Sequence, residues 1–254
     1  MQSQIIAVLN QKGGVGKTTT AINLGAYLAK VGKTVLLVDF DPQGNATSGL
    51  GIAKEQAELT SYDVLLHHEL LASAIKETST PGLVVLPANA SLAAAEIELV
   101  SLPSRETRLR EALQPAEHDL VLIDCPPALG LLTINALAAA NSVLIPVQAE
   151  YYALEGLSQL LSVVQRVRES LNPQLEVLGV VLTMYDKRTA LAEQVLGELR
   201  KHFGTKLFDA IIPRNVRLAE APSFGLPIHE HDKWSKGARA YKQLAKEVMK
   251  RVER

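Results

Sequence analysis

Lys12-Gly-Gly-Val-Gly-Lys-Thr-Thr-Thr20 packs three glycines, two lysines and three threonines into nine residues. Glycines let successive backbone N–H groups turn toward one point, and a helix starting just behind them adds its own unpaired N–H groups, so the chemistry indicated is the holding of phosphate. Lys17 is spaced to reach β- and γ-phosphates, and the Thr18 hydroxyl to complete a Mg²⁺ shell. The usual phosphate-loop pattern asks for glycine where Gln11 stands. Here the glycines shift to Gly13 and Gly14, and an additional lysine, Lys12, precedes them. A glycine-rich turn with nothing to hold is the alternative, and the agreement of glycines, lysine, hydroxyls and flanking elements counts against it.

The flanking elements have to position that loop. Ile5-Ile-Ala-Val-Leu9 is an apolar, β-branched run that reads as a buried strand, and Thr18 to Val31 reads as a helix ending at Gly32. Thr34-Val-Leu-Leu-Val38 is a second strand, delivering Asp39 and Asp41 to the place where open α/β sheets bind ligands. Asp119-Leu-Val-Leu-Ile-Asp124 is the other informative strand, because four apolar residues and an aspartate form the pattern that holds Mg²⁺ through water. No glutamate follows Asp124 to act on an attacking water, which leaves Asp41 as the available carboxylate.

Elsewhere the reading is coarser. Gly44 to Gly51 reads as a polar, flexible stretch, and 59–77 as one or two short helices. Strands are expected at 82–87, 142–146, 177–184 and 206–212. Ser91 is expected to cap a helix through Leu99, and Pro103 to open one through Leu113; further helices are expected over 131–140, 154–170, 190–202 and 237–252. Residues 213–217 lead into 221–227, a stretch dense in breakers that reads as loop. Strands alternating with helices argue an α/β fold, a doubly wound and mostly parallel sheet flanked by helices, with 1–254 as a single domain.

The bulk composition narrows the class. With 254 residues and 47% hydrophobic content the chain can bury one large core. One cysteine, Cys125, excludes an internal disulfide and any Cys-x-x-Cys site, and is expected to be a buried small residue. His229 and His231 read as solvated polarity rather than a metal pair. No apolar run is long enough to span a bilayer and no leader pattern is visible, so a cytoplasmic location is expected. Residues 1–150 hold 9 basic against 15 acidic residues, a balance of −6, while 151–254 hold 17 against 12, a balance of +5. A basic distal half suits either a polyanion surface or ordinary helix solvation.

Lys12-Gly-Gly-Val-Gly-Lys-Thr-Thr, Asp39-Phe-Asp41-Pro-Gln-Gly-Asn and Asp124-Cys-Pro-Pro together resemble the deviant Walker A group of P-loop NTPases. Gln148-Ala-Glu-Tyr-Tyr-Ala-Leu-Glu-Gly-Leu and Ile212-Pro-Arg-Asn-Val-Arg-Leu-Ala-Glu-Ala-Pro-Ser are similar to the ParA/Soj branch of the MinD/ParA superfamily, and the likeness runs almost end to end. No extension precedes the first strand, so the helix-turn-helix of the large plasmid type is not expected. The resemblance implies ATP and Mg²⁺ as cofactors, bound by Lys12, Gly13, Gly14, Val15, Gly16, Lys17, Thr18 and Thr19, with Pro213 and Asn215 at the adenine. It implies Lys12, Lys17, Asp41 and Asp124 as catalytic residues, and Thr18, Asp41 and Asp124 around the metal. Lys12 looks like the signature lysine that crosses a homodimer interface to the partner's phosphates, and Asp41 like the residue that positions the attacking water. The ATP-bound homodimer would bind double-stranded DNA without sequence preference, hydrolyse ATP slowly until stimulated by a ParB-type partner, and associate with the nucleoid during chromosome or plasmid segregation. Arg188 and Arg217 match positions that contact DNA in the family; by residue type alone they read equally well as surface partners of Asp186 and Glu220, and the resemblance favours the DNA role.

Two other readings share the scaffold. A MinD-like membrane-surface ATPase would need an interfacial tail, but the stripe Tyr241, Leu244, Ala245, Val248 and Val252 looks like a helix docked on its own core, so no membrane is expected. A ligase or reductase would need a second-substrate constellation that is not visible, and one cysteine cannot hold a shared iron–sulfur cluster.

Overall fold

Short Val-, Ile- and Leu-rich runs separated by helices assemble into one seven-stranded sheet in the computed structural model, which describes residues 3–150 and 153–253. In chain order the strands are β1 (Gln4–Val8), β2 (Val35–Asp39), β3 (Lys76–Glu77), β4 (Leu83–Leu86), β5 (Leu120–Asp124), β6 (Ser142–Gln148) and β7 (Glu176–Thr183). Across the sheet they run β3-β4-β2-β5-β1-β6-β7. Every neighbouring pair is parallel except the short β3 against β4. The doubly wound, mostly parallel architecture expected from the alternation of elements is therefore present, with β3 as an unanticipated antiparallel edge.

A parallel sheet is covered on both sides, and alternate residues divide between two cores. Ala7, Leu9, Leu36, Val38, Val121 and Ile123 point into one, with Leu137, Leu160 and Leu199 from the helices Leu131–Ala139, Ala153–Ser170 and Ala190–Phe203. Ile6, Val8, Val35, Leu37, Leu120 and Leu122 point into the other, under the helices Lys17–Lys30 and Lys236–Val252. Each such Val, Leu or Ile side chain contributes about 1.5–3 kcal/mol by leaving water. The two covering helices of the second face also meet through a buried contact between the Thr20 hydroxyl and the Tyr241 hydroxyl, 3.1 Å apart. Tyr241, Leu244, Ala245 and Val248 are buried there, as expected of a docked helix. Among the described residues no helix is long and apolar enough to cross a membrane.

Several local expectations are corrected. Residues 206–212 do not form a strand: Phe208 N donates to Val180 O at 2.9 Å and Ile212 N to Leu182 O at 2.8 Å. Four residues on one side thus span two on the other, so the segment bulges and only isolated bridges to it form. Gly44 to Gly51 is not a flexible stretch but holds a short helix, Asn45–Gly49, whose Thr47 is fully buried. Ser91 precedes the helix Leu92–Glu98 without a side-chain cap, its own N–H bonded to the Asn89 side chain. The helix expected from Pro103 begins only at Arg108. The breaker-rich segment 221–227 follows a short helix, Val216–Glu220, started by the Asn215 side chain, and itself opens on a 3₁₀ turn in which Pro222 occupies a first-turn position where its missing N–H is harmless.

Candidate functional site

The turn from β1 to the helix Lys17–Lys30 carries Gly14 and Gly16 at φ 75° and 87°, a backbone region that side chains rarely adopt. A Cβ at either would meet nothing within 4 Å, so these glycines are required for backbone direction, not for space. No side chain caps the helix and no acidic residue lies in its first turn, which leaves its N–H groups for an anion. Long-range bonds hold the loop. Asn10 Oδ1 accepts from Lys12 N at 3.0 Å while its Nδ2 donates to Pro146 O at 2.7 Å. Thr183 Oγ1 donates to Val15 O at 2.8 Å. Gln11, which stands where the usual pattern has glycine, donates to Gly156 O at 2.6 Å and so ties the loop to the helix Ala153–Ser170. Lys17 is buried, its ammonium donating to Lys12 O at 3.2 Å; burial lowers its pKa, and Asp124 and Asp41 oppose that shift.

Strand order brings the carboxylates together. β2 lies beside β5 with Asp39 in register with Asp124, and β5 lies beside β1 with Asp124 in register with Val8, where the loop departs. Asp39 and Asp124 are both fully buried, yet they are partnered differently. Asp39 accepts from Thr47 N at 2.7 Å, Thr47 Oγ1 at 2.6 Å and Asp41 N at 3.3 Å. Neither oxygen of Asp124 makes a well-formed hydrogen bond, although the Thr18 hydroxyl lies close enough to act on it. Burial pushes the Asp124 carboxyl well up, Asp39 adds to this, and the nearby Thr18 side chain most favours the charged form. Asp41 is nearly buried, and its Oδ1 accepts from Gln43 N at 2.9 Å.

A buried carboxylate with no well-formed hydrogen bond, beside two more and one ammonium, is a costly arrangement unless a cation completes it. Among the described residues no group of three His, Cys, Asp or Glu is arranged to hold a metal alone. Mg²⁺ needs no such cage, because it keeps waters and leans on phosphate oxygens. The donor set Thr18, Asp41 and Asp124 fits that partial role. Beside them opens a cavity of about 520 Å³, lined by Gly13, Gly14, Gly16, Lys17, Thr18 and Asp41 among others. A second cavity of about 280 Å³ shares Gly16, Thr19 and Met184 with the first and is lined by Pro213 and Asn215. The two form one elongated site, with a phosphate end and a narrower end. Asn215 Oδ1 is committed to Arg217 N at 2.8 Å, so only its NH₂ is left to read a base edge.

Other expected residues lie apart from this site. Lys12 is not among the residues lining either cavity; its ammonium pairs with Glu150, both side chains being about half exposed. Arg188 is exposed and grips Asp186 through two nitrogens, Nη2 at 2.6 Å and Nε at 2.9 Å, which holds the Asp186 carboxyl far below its usual range. Arg217 bonds Glu220 at 2.9 Å and lies 3.7 Å from Asp232. Cys125 is fully buried, and burial pushes its thiol well up, as expected of an inert side chain. Glu96, Pro126, Pro127 and Met184 line the phosphate end without having been singled out. Pro126 and Pro127 directly follow Asp124 and were legible as its neighbours; nothing local marks Glu96, which comes from the helix Leu92–Glu98.

Comparison with known proteins adds the following. A family model described as an AAA domain matches residues 3–177. The chain is 54% identical over 252 residues to a "Chromosome partitioning protein ParA" of Caulobacter vibrioides, covering 98% of this chain and 94% of the relative. It is 56% identical over 250 residues to a "Chromosome-partitioning ATPase Soj" of Thermus thermophilus, covering 98% and 96%. Among solved structures, a cobyrinic acid a,c-diamide synthase from Mycobacterium smegmatis with bound ATP analog and magnesium superposes with TM-score 0.89 at 37% identity, covering 99% of this chain and 96% of that one.

Proposed function

The chain belongs to the ParA/Soj family of chromosome-partitioning ATPases, uses ATP and Mg²⁺, and on that premise we propose that it is a nucleotide-driven dimerisation switch acting on DNA. The observation that carries the reading is the Asp124 carboxylate, buried without a well-formed hydrogen bond beside Lys17 and Thr18, two residues that line the phosphate end of an elongated site. Lys17 holds the β- and γ-phosphate oxygens, and the loop N–H groups cradle the rest. Mg²⁺, when bound, draws charge from those oxygens. Thr18 and Asp124 would hold the metal, the one through its hydroxyl and the other through its negative charge. Asp41 orients the water that attacks the γ-phosphorus and takes its proton. Pro213 packs on the adenine while the Asn215 amide donates to its edge.

Lys12 acts in trans. Within one subunit it is held at the rim by Glu150, away from its own phosphate cavity. Two subunits meeting face to face would release it toward the partner's γ-phosphate, where a second cation lowers the barrier as an arginine finger does. The dimer then binds duplex DNA through Arg188 and Arg217, each first exchanging its carboxylate partner for a DNA phosphate, and a ParB-type partner returns it to monomers by stimulating hydrolysis. On this reading the protein works on the nucleoid, in the cytoplasm.

A ligase reading rests on the synthase structure, at 37% identity against 54% and 56% for the partition relatives. DNA binding measured with ATP, with ADP and without nucleotide separates the two. The switch requires strong binding with ATP alone; equal binding in all three states, or turnover that requires a small carboxylic acid as co-substrate, sinks it.

A further inference from the structure

At the far end of the helix Lys17–Lys30, about 20 Å from the phosphate loop by helix rise, a groove of about 830 Å³ opens beneath the C-terminal helix. It shares no lining residue with the nucleotide cavities. Its floor is made by Tyr27, Ala245, Met249 and His229, and Val31 and Trp234 stand at its edges, 61% and 79% exposed. Around them are six lysines, Lys30, Lys33, Lys233, Lys242, Lys246 and Lys250. Lys242, Lys246 and Lys250 repeat every four residues and so share one helix face.

Those charges are largely uncompensated. Lys33 lies 3.5 Å from Glu253, and Lys233 sits over the Trp234 ring at 5.2 Å. Lys30, Lys242, Lys246 and Lys250 make no ion pair among the described residues. On the floor, His229 has a side chain 8% exposed and a buried Nδ1 with no hydrogen-bond partner. An exposed tryptophan, an apolar floor and an unpaired cationic rim call for a ligand that is anionic outside and apolar inside.

We propose that this groove docks a short acidic peptide segment of a partner protein, one that carries an aliphatic or aromatic anchor between carboxylates. The volume suits it, lying within the roughly 300–1,000 Å³ of sites that bury a compact ligand. A duplex presents phosphates on a convex rod and has nothing to place on a recessed apolar floor. A bilayer would meet the protruding Val31 and Trp234 but has no narrow anchor to enter the recess beneath the helix. The anchor packs between Trp234 and Met249, and its flanking carboxylates meet Lys30 on one side and Lys242 and Lys246 on the other.

Trp234 is the chain's single tryptophan, so its emission reports the groove directly. The probe is a fluorescein-labelled peptide of glutamates flanking one leucine and one phenylalanine, titrated into the full chain with ADP and with no nucleotide. The expected result is a saturable blue shift of Trp234 emission in both states. In anisotropy, Lys242→Glu and Lys246→Glu each weaken binding on the order of tenfold, with steep salt dependence and unchanged ATP affinity. Trp234→Ala weakens it by about fivefold or more. A twin peptide with both apolar residues replaced by serine binds far less. Equal binding of the twin, no shift of Trp234, or a larger response to short duplex DNA or to phosphatidylglycerol vesicles overturns the proposal. Because the peptide binds without ATP, its failure is distinct from failure of the nucleotide switch.

Discussion

Thr47→Val removes one oxygen and keeps the shape of the side chain, and its cost can be worked from the bonds that oxygen makes. The hydroxyl donates to Asp39 Oδ2 at 2.6 Å and accepts from Ala88 N at 2.9 Å, in surroundings where Thr47, Asp39 and Ala88 are all fully buried. A hydrogen bond to a charged group contributes about 1.5–3 kcal/mol, and a buried N–H left without an acceptor costs about 1–3 kcal/mol. The two losses share a site and do not add in full, so the expected destabilisation is about 3 kcal/mol, more than a hundredfold in the folding equilibrium. Valine adds nothing back, since no water-sized space opens when a hydroxyl becomes a methyl. Thr47→Ser keeps both bonds and should cost about 1 kcal/mol for its lost methyl. Urea unfolding by linear extrapolation measures both variants, with the slope expected to stay constant. Asp39 also holds Asp41 N at 3.3 Å, so ATP turnover should fall further than nucleotide affinity. A loss below about 1 kcal/mol in Thr47→Val, or equal losses in the two variants, would refute the claim that this hydroxyl braces the carboxylate cluster.

The remaining predictions concern the nucleotide cycle and DNA. Lys17→Ala should abolish nucleotide binding, whereas Lys12→Ala should keep ATP and lose dimerisation and hydrolysis; equal loss of ATP affinity in both contradicts the trans role. Glu150→Gln should release Lys12 and raise the dimer fraction with ATP, read by size-exclusion, and an unchanged or lower fraction counts against a rim that restrains it. Asp41→Ala should stop hydrolysis and accumulate an ATP-bound dimer, and a variant that stays monomeric with ATP bound removes Asp41 from that role. Arg188→Glu and Arg217→Glu should each weaken binding to all DNA sequences alike and flatten the salt dependence by roughly one to two units per dimer. Wild-type affinity and slope in both would assign these arginines to their ion pairs with Asp186 and Glu220.

What the sequence determined by itself is whatever depends on neighbours in the chain. The glycines and lysine of the phosphate loop, the apolar runs ending in Asp39 and Asp124, and the parallel α/β class all follow from local spacing and periodicity. So does the docked face of the last helix, because a stripe at helical spacing needs only the helix to exist. Pairing is a different matter, since apolar strands of similar length are interchangeable until the whole sheet packs. Only the order β2-β5-β1 sets Asp39 beside Asp124 and leaves one satisfied and the other without a well-formed hydrogen bond. The segment 206–212 has strand-like composition, yet β7 offers it two residues for every four and no ladder forms. Glu96 reaches the phosphate cavity, and Lys12 meets Glu150 across 138 positions, without any local mark. The lysine groove likewise draws Lys30 and Lys33 from one end of the chain and Lys242, Lys246 and Lys250 from the other. Such meetings are decided by the burial of side chains far apart in sequence, a free energy that belongs to the packed molecule and to no stretch of it.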